Sequence, residues 1–212
     1  MKIIAVGMNY ANHNKEMHNT VNPSDGLSEP TIFMKSDSSL LKDGKPFFIP
    51  DFSSEIHHEV ELVIRIDRLG KNIAERFANR YYSEVTVGVD FTARDLQSRL
   101  RSQGLPWELS KAFDNSAVVG RFVPLAEVGG VSGDVSALSF RLDINGETVQ
   151  AGNSVDMLFP VDKIIAYVSR FFTLKIGDLI YTGTPEGVGK VKIGDHLQGY
   201  IGDKKLLDFY VK

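Results

Sequence analysis

Two carboxylates spaced two residues apart are the first groups in this sequence that could do chemistry. They lie in the segment His57-His58-Glu59-Val60-Glu61, at the start of an alternating and then apolar run that predicts a strand. Because side chains on a strand alternate between faces, His57, Glu59 and Glu61 are expected to point the same way. Carboxylates about 7 Å apart on one face repel each other unless a cation lies between them. All-oxygen ligands favour magnesium, manganese or calcium over zinc, so the pattern suggests a divalent-cation site, with a solvated strand face as the alternative.

Asp90 is the next carboxylate that could join this site. It follows an apolar strand pattern at 85–89 and precedes a polar segment with helical character. An acidic residue in that place often caps the following helix. As a third ligand, it would instead complete a set of carboxylates that leaves positions open for a substrate and water, which is the arrangement of a catalytic metal site.

Composition narrows the classes of protein to which the chain can belong. The formal net charge of −3 argues against nucleic-acid binding, which normally needs a basic surplus. The chain has no cysteine, which excludes disulfides, thiolate nucleophiles and zinc–sulfur sites. It has neither a signal-peptide pattern nor a run of about 18 apolar residues. We therefore expect a cytoplasmic protein without a membrane partner.

The elements that must position these groups are mostly strands. Asn145-Gly146 is the favoured two-residue turn of a hairpin, and 20–30 carries the signals of a loop. Predicted strands lie at 3–6, 31–35, 46–50, 59–66, 85–89, 138–144, 147–149, 179–181, 196–201 and 206–211, and predicted helices at 9–19, 74–82, 92–102 and 161–172. Since strands and helices do not alternate as in a doubly wound sheet, we expect an α+β domain built on a curled, mixed sheet. One domain over 1–212, with 1–50 as a candidate accessory lobe, is the simplest organisation.

Five segments resemble the fumarylacetoacetate hydrolase family in its short single-domain form. In family order they are VGMNYANH at 6–13, HEVEL at 58–62, DFTARD at 90–95, PWELSK at 106–111 and TGTPEGVG at 182–189. The resemblance spans nearly the whole chain. It implies a β-roll of mixed sheet with few peripheral helices, a homodimer, and Mg²⁺ (with Mn²⁺ as the alternative) held by Glu59, Glu61 and Asp90. It does not make His57 a ligand, and a hydrogen-bonded role for that histidine is expected.

The resemblance also implies the groups that surround the metal. In short members of the family, a His and a Glu on a mobile N-terminal helix close over the metal, and His13 and Glu16 match them. Their spacing puts both on one helix face, whereas without the resemblance they would suggest only a polar surface helix. The complete set implied is catalytic His13, Glu16 and Lys111, and substrate-binding Arg94, Gln97 and Thr184.

The activity implied by the resemblance is carbon–carbon bond cleavage in acylpyruvates, decarboxylation of oxaloacetate, or both, on a small 2-oxo acid. Isomerisation of hydroxymuconate-type dioates is an alternative within the family, and a catalytically silent metabolite-binding protein is an alternative outside enzymology. Many relatives carry Arg where this chain has Met8, and loss of that charge is expected to alter the pocket entrance or its preference for a second carboxylate.

Overall fold

Strands are more numerous than helices in the computed structural model, which describes residues 1–17, 29–42, 44–129 and 135–212. The strands are β1 Ile3–Gly7, β2 Thr31–Lys35, β3 Leu40–Leu41, β4 Ile56–His58, β5 Val60–Ile66, β6 Tyr82–Asp90, β7 Thr92–Ala93, β8 Ala117–Val119, β9 Val123–Pro124, β10 Ser139–Ile144, β11 Glu147–Asn153, β12 Leu179–Tyr181, β13 Gly189–Lys190, β14 His196–Ile201 and β15 Lys204–Tyr210. The helices are α1 Ala11–Glu16, α2 Arg94–Ser102, α3 Glu108–Lys111 and α4 Val161–Phe171, with 3₁₀ helices at Asp37–Ser39, Glu75–Arg80, Leu125–Glu127 and Ser154–Asp156. Within the described ranges, none of the helices has the length and apolar character needed to cross a membrane.

The largest sheet has the order β2-β1-β12-β5-β6-β8-β3, with β9 added beside β6. The β1–β12 and β3–β8 pairs are parallel and its other pairs are antiparallel. A second sheet has the order β11-β10-β14-β15, and a small third one has the order β13-β4-β7. The curled, mixed sheet with few helices that the sequence predicts is therefore confirmed.

The core lies where the second sheet packs against the first. Strand β10 contacts β5, and β14 and β15 contact β6. The approach is close at Gly199, where an added Cβ would lie 2.9 Å from Val87 Cγ1. Val87, Leu142 and Leu207 are buried there, and each such side chain contributes roughly 1.5–3 kcal/mol. Close packing of this kind gives β5 and β6 a rigid backing.

Helix α4 covers one part of the large sheet with its apolar face. Ile164, Ile165 and Val168 are fully buried at the i, i+1, i+4 spacing of one helix face. The helix begins directly after Pro160, a residue that is compatible with a helix start. It packs against the 3₁₀ helix Glu75–Arg80.

The helix predicted at 9–19 is α1 Ala11–Glu16 as far as the described residues go, and most of the loop predicted at 20–30 lies outside them. Three further predicted elements differ from the structure. The helix predicted at 74–82 is the 3₁₀ helix Glu75–Arg80. The predicted helix at 92–102 begins at Arg94, because Thr92–Ala93 pair with β4 instead. The extended piece predicted at 46–50 makes a single bridge, between Phe47 and Val211, since the prolines at its two ends cannot donate to a ladder.

Candidate active site

Strands β5 and β6 bring three carboxylates together. Glu59 stands between β4 and β5, Glu61 is the second residue of β5, and Asp90 ends β6. The backbone N–H of Asp90 donates to the Glu59 carbonyl at 2.8 Å, which holds the two chain segments side by side. One oxygen from each of the three side chains lies within 4.8 Å of the others, and all three residues are buried. The two predicted glutamates and Asp90 thus converge.

A loop after β12 completes the wall beside Glu61. The Gly183 N–H donates to Glu61 Oε2 at 2.6 Å. Gly183 has a φ of 98°, and an added Cβ there would lie 2.7 Å from Asn9 Cβ. Asn9 secures this turn, because its amide donates to the Thr182 carbonyl at 2.7 Å while accepting from the Phe159 N–H at 2.8 Å. Only glycine combines the required φ with so close an approach.

Two buried lysines contact the carboxylates directly. Lys111, at the end of α3, donates to Glu59 Oε2 at 2.6 Å and to Asp90 Oδ2 at 2.8 Å. Lys35, the last residue of β2, places its ammonium 2.6 Å from Asp90 Oδ1. The Lys35 ammonium also donates to the Lys111 carbonyl and, at 3.0 Å, to Ser116 Oγ. Burial lowers the pKa of Lys35, although Asp90 opposes that change.

The local charges place the two glutamates in different states. Burial by itself would raise the pKa of Glu59, but Lys111 and Arg94 outweigh it and hold that pKa below its usual range. Burial raises the pKa of Glu61 well above its usual value, and the carboxylates of Asp90 and Glu59 raise it further. Burial would lower the pKa of Lys111, yet Asp90 and Glu59 hold it above its ordinary value. Glu61 therefore carries the unrelieved repulsion in this cluster.

This set of donors fits a hard divalent cation. Glu59, Glu61 and Asp90 offer only carboxylate oxygens, which is the ligand chemistry of Mg²⁺ and Mn²⁺. A dication among them would relieve the repulsion that raises the pKa of Glu61. Three protein ligands leave coordination positions for a substrate, as in catalytic metal sites.

Helix α1 places His13 and Glu16 beside the carboxylates. His13 is buried at the pocket that the three carboxylates line, with its Nδ1 3.4 Å from Glu16 Oε2. Glu16 also accepts from the Gly187 N–H at 3.2 Å, and Asn12 donates to Glu186 at 3.2 Å, so both contacts tie α1 to the loop after β12. Burial lowers the pKa of His13, although Glu59 and Glu16 partly oppose that change. A neutral imidazole at this place is available as a base.

The side chains predicted to bind substrate form one wall of the same pocket. Arg94, the first residue of α2, donates to Glu59 Oε1 at 2.5 Å and to Gln97 Oε1 at 2.6 Å. Thr184 also lines this pocket, and its hydroxyl accepts from Gln150 Nε2 at 2.9 Å. The structure therefore brings together all nine residues that were predicted for the site.

Met8 also lines this pocket, and its backbone is unusual. Its φ of 60° lies in the left-handed region, which a residue with a Cβ rarely adopts. Sparsely populated conformations of this kind are concentrated at functional sites. The backbone conformation at position 8 thus directs its side chain to the pocket, and it would do so for any residue at that position.

Sequence reasoning missed Arg101, which lines the pocket, and Lys35 and Gln150, whose side chains contact residues of the site. Lys35 ends a correctly predicted strand, and a charged residue at the end of an apolar strand is the signal that could have drawn attention to it. Gln150 follows the predicted hairpin and reaches His58 Nδ1 at 2.8 Å. His57, which was expected to share the glutamate face, instead lies 3.4 Å from Glu55, because the chain leaves the regular strand pattern at Glu59.

Comparison with known proteins agrees with this geometry. The model of the fumarylacetoacetate (FAA) hydrolase C-terminal family matches residues 2–207. The chain belongs to the fumarylacetoacetate hydrolase family. It is 40% identical over 210 residues to a mitochondrial oxaloacetate tautomerase of Mus musculus, covering 99% of this chain and 91% of the relative. It is 42% identical over 194 residues to a mitochondrial oxaloacetate decarboxylase of Dictyostelium discoideum, covering 91% and 85% of the two chains.

Among solved structures of the fumarylacetoacetate hydrolase family, fumarylpyruvate hydrolase from Pseudomonas aeruginosa, in complex with Mn²⁺ and pyruvate, is similar to this chain. The TM-score is 0.89 at 34% sequence identity, and the match covers 100% of this chain and 89% of the other. The chain is thus an enzyme of the fumarylacetoacetate hydrolase family, and its acidic triad fits the metal dependence of that family.

Proposed function

We propose that this chain is a divalent-cation-dependent enzyme that acts on oxaloacetate, converting its keto and enol forms and releasing carbon dioxide from it. The observation that carries the proposal is the convergence of Glu59, Glu61 and Asp90 within 4.8 Å beside a buried, neutral histidine. Mg²⁺ or Mn²⁺ held by the three carboxylates would polarise the carbonyl of a 2-oxo acid and stabilise the charge of its enolate. Names of the mouse and Dictyostelium relatives support oxaloacetate as the substrate.

Charge balance in the pocket favours a substrate with two carboxylates. The three ligand carboxylates are matched by three cations that contact them: Lys35, Lys111 and Arg94. A bound dication therefore leaves two positive charges in a buried site, where uncompensated charge is costly. A dianion such as oxaloacetate neutralises them, whereas a monoanionic acylpyruvate neutralises one.

His13 is the group that moves the proton in this proposal. With Glu16 Oε2 facing its Nδ1, the neutral ring holds a hydrogen on Nδ1 and keeps Nε2 as the base. In the keto form, Nε2 takes a proton from C3, and the same proton is returned when the keto form is restored. Lys111 balances the negative charge that develops on the 2-oxo oxygen. Loss of carbon dioxide instead breaks the C3–C4 bond of the keto form and leaves the enolate of pyruvate, which takes a proton at C3, and it needs no attacking water.

Hydrolysis of a dianionic 2,4-dioxo acid is the second candidate function. The same neutral His13–Glu16 pair can activate water, and fumarylpyruvate hydrolase is similar over the whole of this chain. In that reaction, water adds to the distal carbonyl, the carbon–carbon bond breaks and pyruvate leaves as its enolate. For either activity, we also propose that the protein forms a homodimer and that Mg²⁺ is the metal it holds.

A substrate panel tests the proposal. The purified protein is assayed for enol–keto conversion of oxaloacetate, for pyruvate formation from oxaloacetate and fumarylpyruvate, and for conversion of a hydroxymuconate-type dienoate, each with Mg²⁺, Mn²⁺ or EDTA. We expect oxaloacetate turnover that EDTA abolishes. His13→Ala should reduce it at least a hundredfold, roughly the contribution of a positioned base, and leave metal binding intact. The control His196→Ala changes a half-buried histidine that does not line the pocket, and its turnover should match wild type.

Two results would overturn the proposal. One is equal turnover by the EDTA-treated and metal-loaded proteins, or by His13→Ala and wild type. The other is tight binding of oxalate in the presence of Mg²⁺ without turnover of any 2-oxo acid, which would indicate a metabolite-binding protein.

A further inference from the structure

Gln150 makes four hydrogen bonds inside the protein, and two of them have an unambiguous polarity. Its side chain is buried on β11. The Val60 N–H can only donate, and it reaches Gln150 Oε1 at 3.0 Å. The Pro185 carbonyl can only accept, and it lies 3.0 Å from Gln150 Nε2. These two backbone groups fix which end of the amide is oxygen and which is nitrogen.

The orientation of the amide determines the other two contacts. Since Oε1 cannot donate, His58 Nδ1 at 2.8 Å must carry a hydrogen. Since Nε2 donates to Thr184 Oγ1 at 2.9 Å, that oxygen accepts and the hydroxyl hydrogen is directed elsewhere. Its partner inside the protein is the Pro185 carbonyl at 3.4 Å, a long contact to an oxygen that Gln150 already engages. A carboxylate in the pocket that Thr184 lines is a stronger acceptor.

We infer that Gln150 is a positioning residue, which holds the Thr184 hydroxyl as a hydrogen-bond donor to the carboxylate of the bound 2-oxo acid. The same amide accepts from the Nδ1–H of His58 and anchors the backbone between the two ligand glutamates. The role toward substrate rests on the proposed function. The Nδ1–H state of His58 follows from the amide alone.

Gln150→Glu is the variant that separates polarity from packing. Its carboxylate keeps an acceptor for Val60 and His58, but its second oxygen cannot donate to Thr184. The Thr184 hydroxyl then turns to donate to Glu at position 150 and is lost to substrate. We expect a rise of roughly tenfold or more in KM for oxaloacetate, with a smaller change in kcat. Gln103→Glu, the same change at an exposed position, should leave KM as in wild type.

A double-mutant cycle with Thr184→Val tests whether Gln150 acts on substrate binding through the Thr184 hydroxyl. Thr184→Val alone should raise KM by a similar factor, Thr184→Ser should restore it, and Gln150→Glu with Thr184→Val should be no worse than either single variant. An unchanged KM in Gln150→Glu overturns the inference, and so does a double variant whose defect is the product of the two single defects.

The ¹⁵N NMR spectrum of wild-type His58 provides a test that needs no variant and no turnover. We expect the neutral ring to be protonated at Nδ1, and a ring protonated at Nε2 overturns the inference. Turnover by wild type together with an unchanged KM in Gln150→Glu refutes the role of Gln150 and leaves the proposed function standing. Absence of turnover by wild type refutes the proposed function and, with it, the role of Gln150 toward substrate, and the state of His58 then tests the orientation of the Gln150 amide alone.

Discussion

Lys35 illustrates how a buried charge is tolerated inside this sheet. Its ammonium contacts Asp90 Oδ1 at 2.6 Å and donates to Ser116 Oγ at 3.0 Å, so both its charge and its hydrogens have partners. A buried pair of this kind adds little net stability by itself, but removing one member leaves the other uncompensated. Asp90 is therefore held by Lys35 from one side and by Lys111 from the other.

Lys35→Met is predicted to destabilise the metal-free protein by about 3–5 kcal/mol, because it strands a buried carboxylate that now has one cation fewer. Urea denaturation in EDTA measures the change. Lys45→Met removes an exposed lysine from the same region and should change the free energy of unfolding by less than about 0.5 kcal/mol. Equal midpoints for the two variants would contradict the prediction.

Glu59, Glu61 and Asp90 are the site residues that their neighbours in the chain reveal, whereas the other six predicted residues were implied by the family resemblance. Glu59 and Glu61 are two apart on a strand, and Asp90 ends the apolar run of β6. Lys35 likewise ends an apolar strand, but that pattern does not reveal its partner Asp90, which lies 55 residues away along the chain. No local pattern marks Gln150, whose partner Val60 lies 90 residues away. Only the pairing of strands in the folded sheets brings Lys35 and Gln150 to the site.

At the scale of elements, the turn after β12 does more than connect two strands. Gly183 donates to Glu61 through its backbone and approaches Asn9 so closely that a side chain has no room. The turn thus joins the first loop of the chain to a ligand of the proposed metal site. Its geometry depends on a φ of 98°.

Gly183→Ala is predicted to lower both stability and metal affinity, because a Cβ would lie 2.7 Å from Asn9 Cβ. Gly194→Ala is the matched control, since Gly194 has nearly the same φ of 97° and nothing within 4 Å of an added Cβ. The control should cost about 1–2 kcal/mol for the left-handed backbone alone. Thermal unfolding and Mg²⁺ titration compare the two, and an equal loss in both would show that the close approach is unimportant.

Elements with a clear period were predicted well, and short ones were not. The hairpin turn at Asn145-Gly146 has positive φ at both residues, as its sequence predicts. Among the strands of two or three residues, β12 was predicted at its exact bounds, whereas β3, β8 and β13 were not, because so few residues show no period. The helix predicted at 74–82 is a tighter 3₁₀ turn, which sequence spacing does not distinguish from an α-helix.

At the scale of the whole molecule, stability and cation binding are linked through protons. In the metal-free fold, burial and then Asp90 and Glu59 raise the pKa of Glu61 above its usual 4.5. A group whose pKa is higher in the folded than in the unfolded chain contributes stability at low pH, and that contribution is lost as pH rises through the folded value. A dication that binds ionised Glu61 removes this penalty and displaces the proton.

We therefore predict that, in EDTA, the melting temperature of wild type falls relative to that of Glu61→Gln as pH rises above about 4.5, through the raised pKa of Glu61. The comparison with Glu61→Gln cancels the contribution of His13, His57 and His58, whose lowered pKa makes stability rise with pH. Mg²⁺ at a hundred times its dissociation constant should add about 2.7 kcal/mol and remove the pH dependence. Calorimetric titration in buffers of different ionisation enthalpy should show proton release on binding. Glu61→Gln should release none, whereas Glu147→Gln, at an exposed position, should behave as wild type.

The strand order was the part of the fold that the sequence pattern predicted least. The parallel pairing of β1 with β12 matches Ile3 to Leu179, and no local pattern encodes a partner so distant. Resemblance to a known family, and not periodicity, indicated the roll.

That same pairing has a consequence during synthesis. A ribosome adds roughly 5–20 residues per second, so β1 leaves the exit tunnel and waits on the order of ten seconds before its parallel neighbour is translated. During that interval, an apolar strand offers one unpaired edge to any other nascent chain. Products cut short by a premature stop codon ahead of β12 would keep that edge permanently, so they are natural clients for chaperones and proteases.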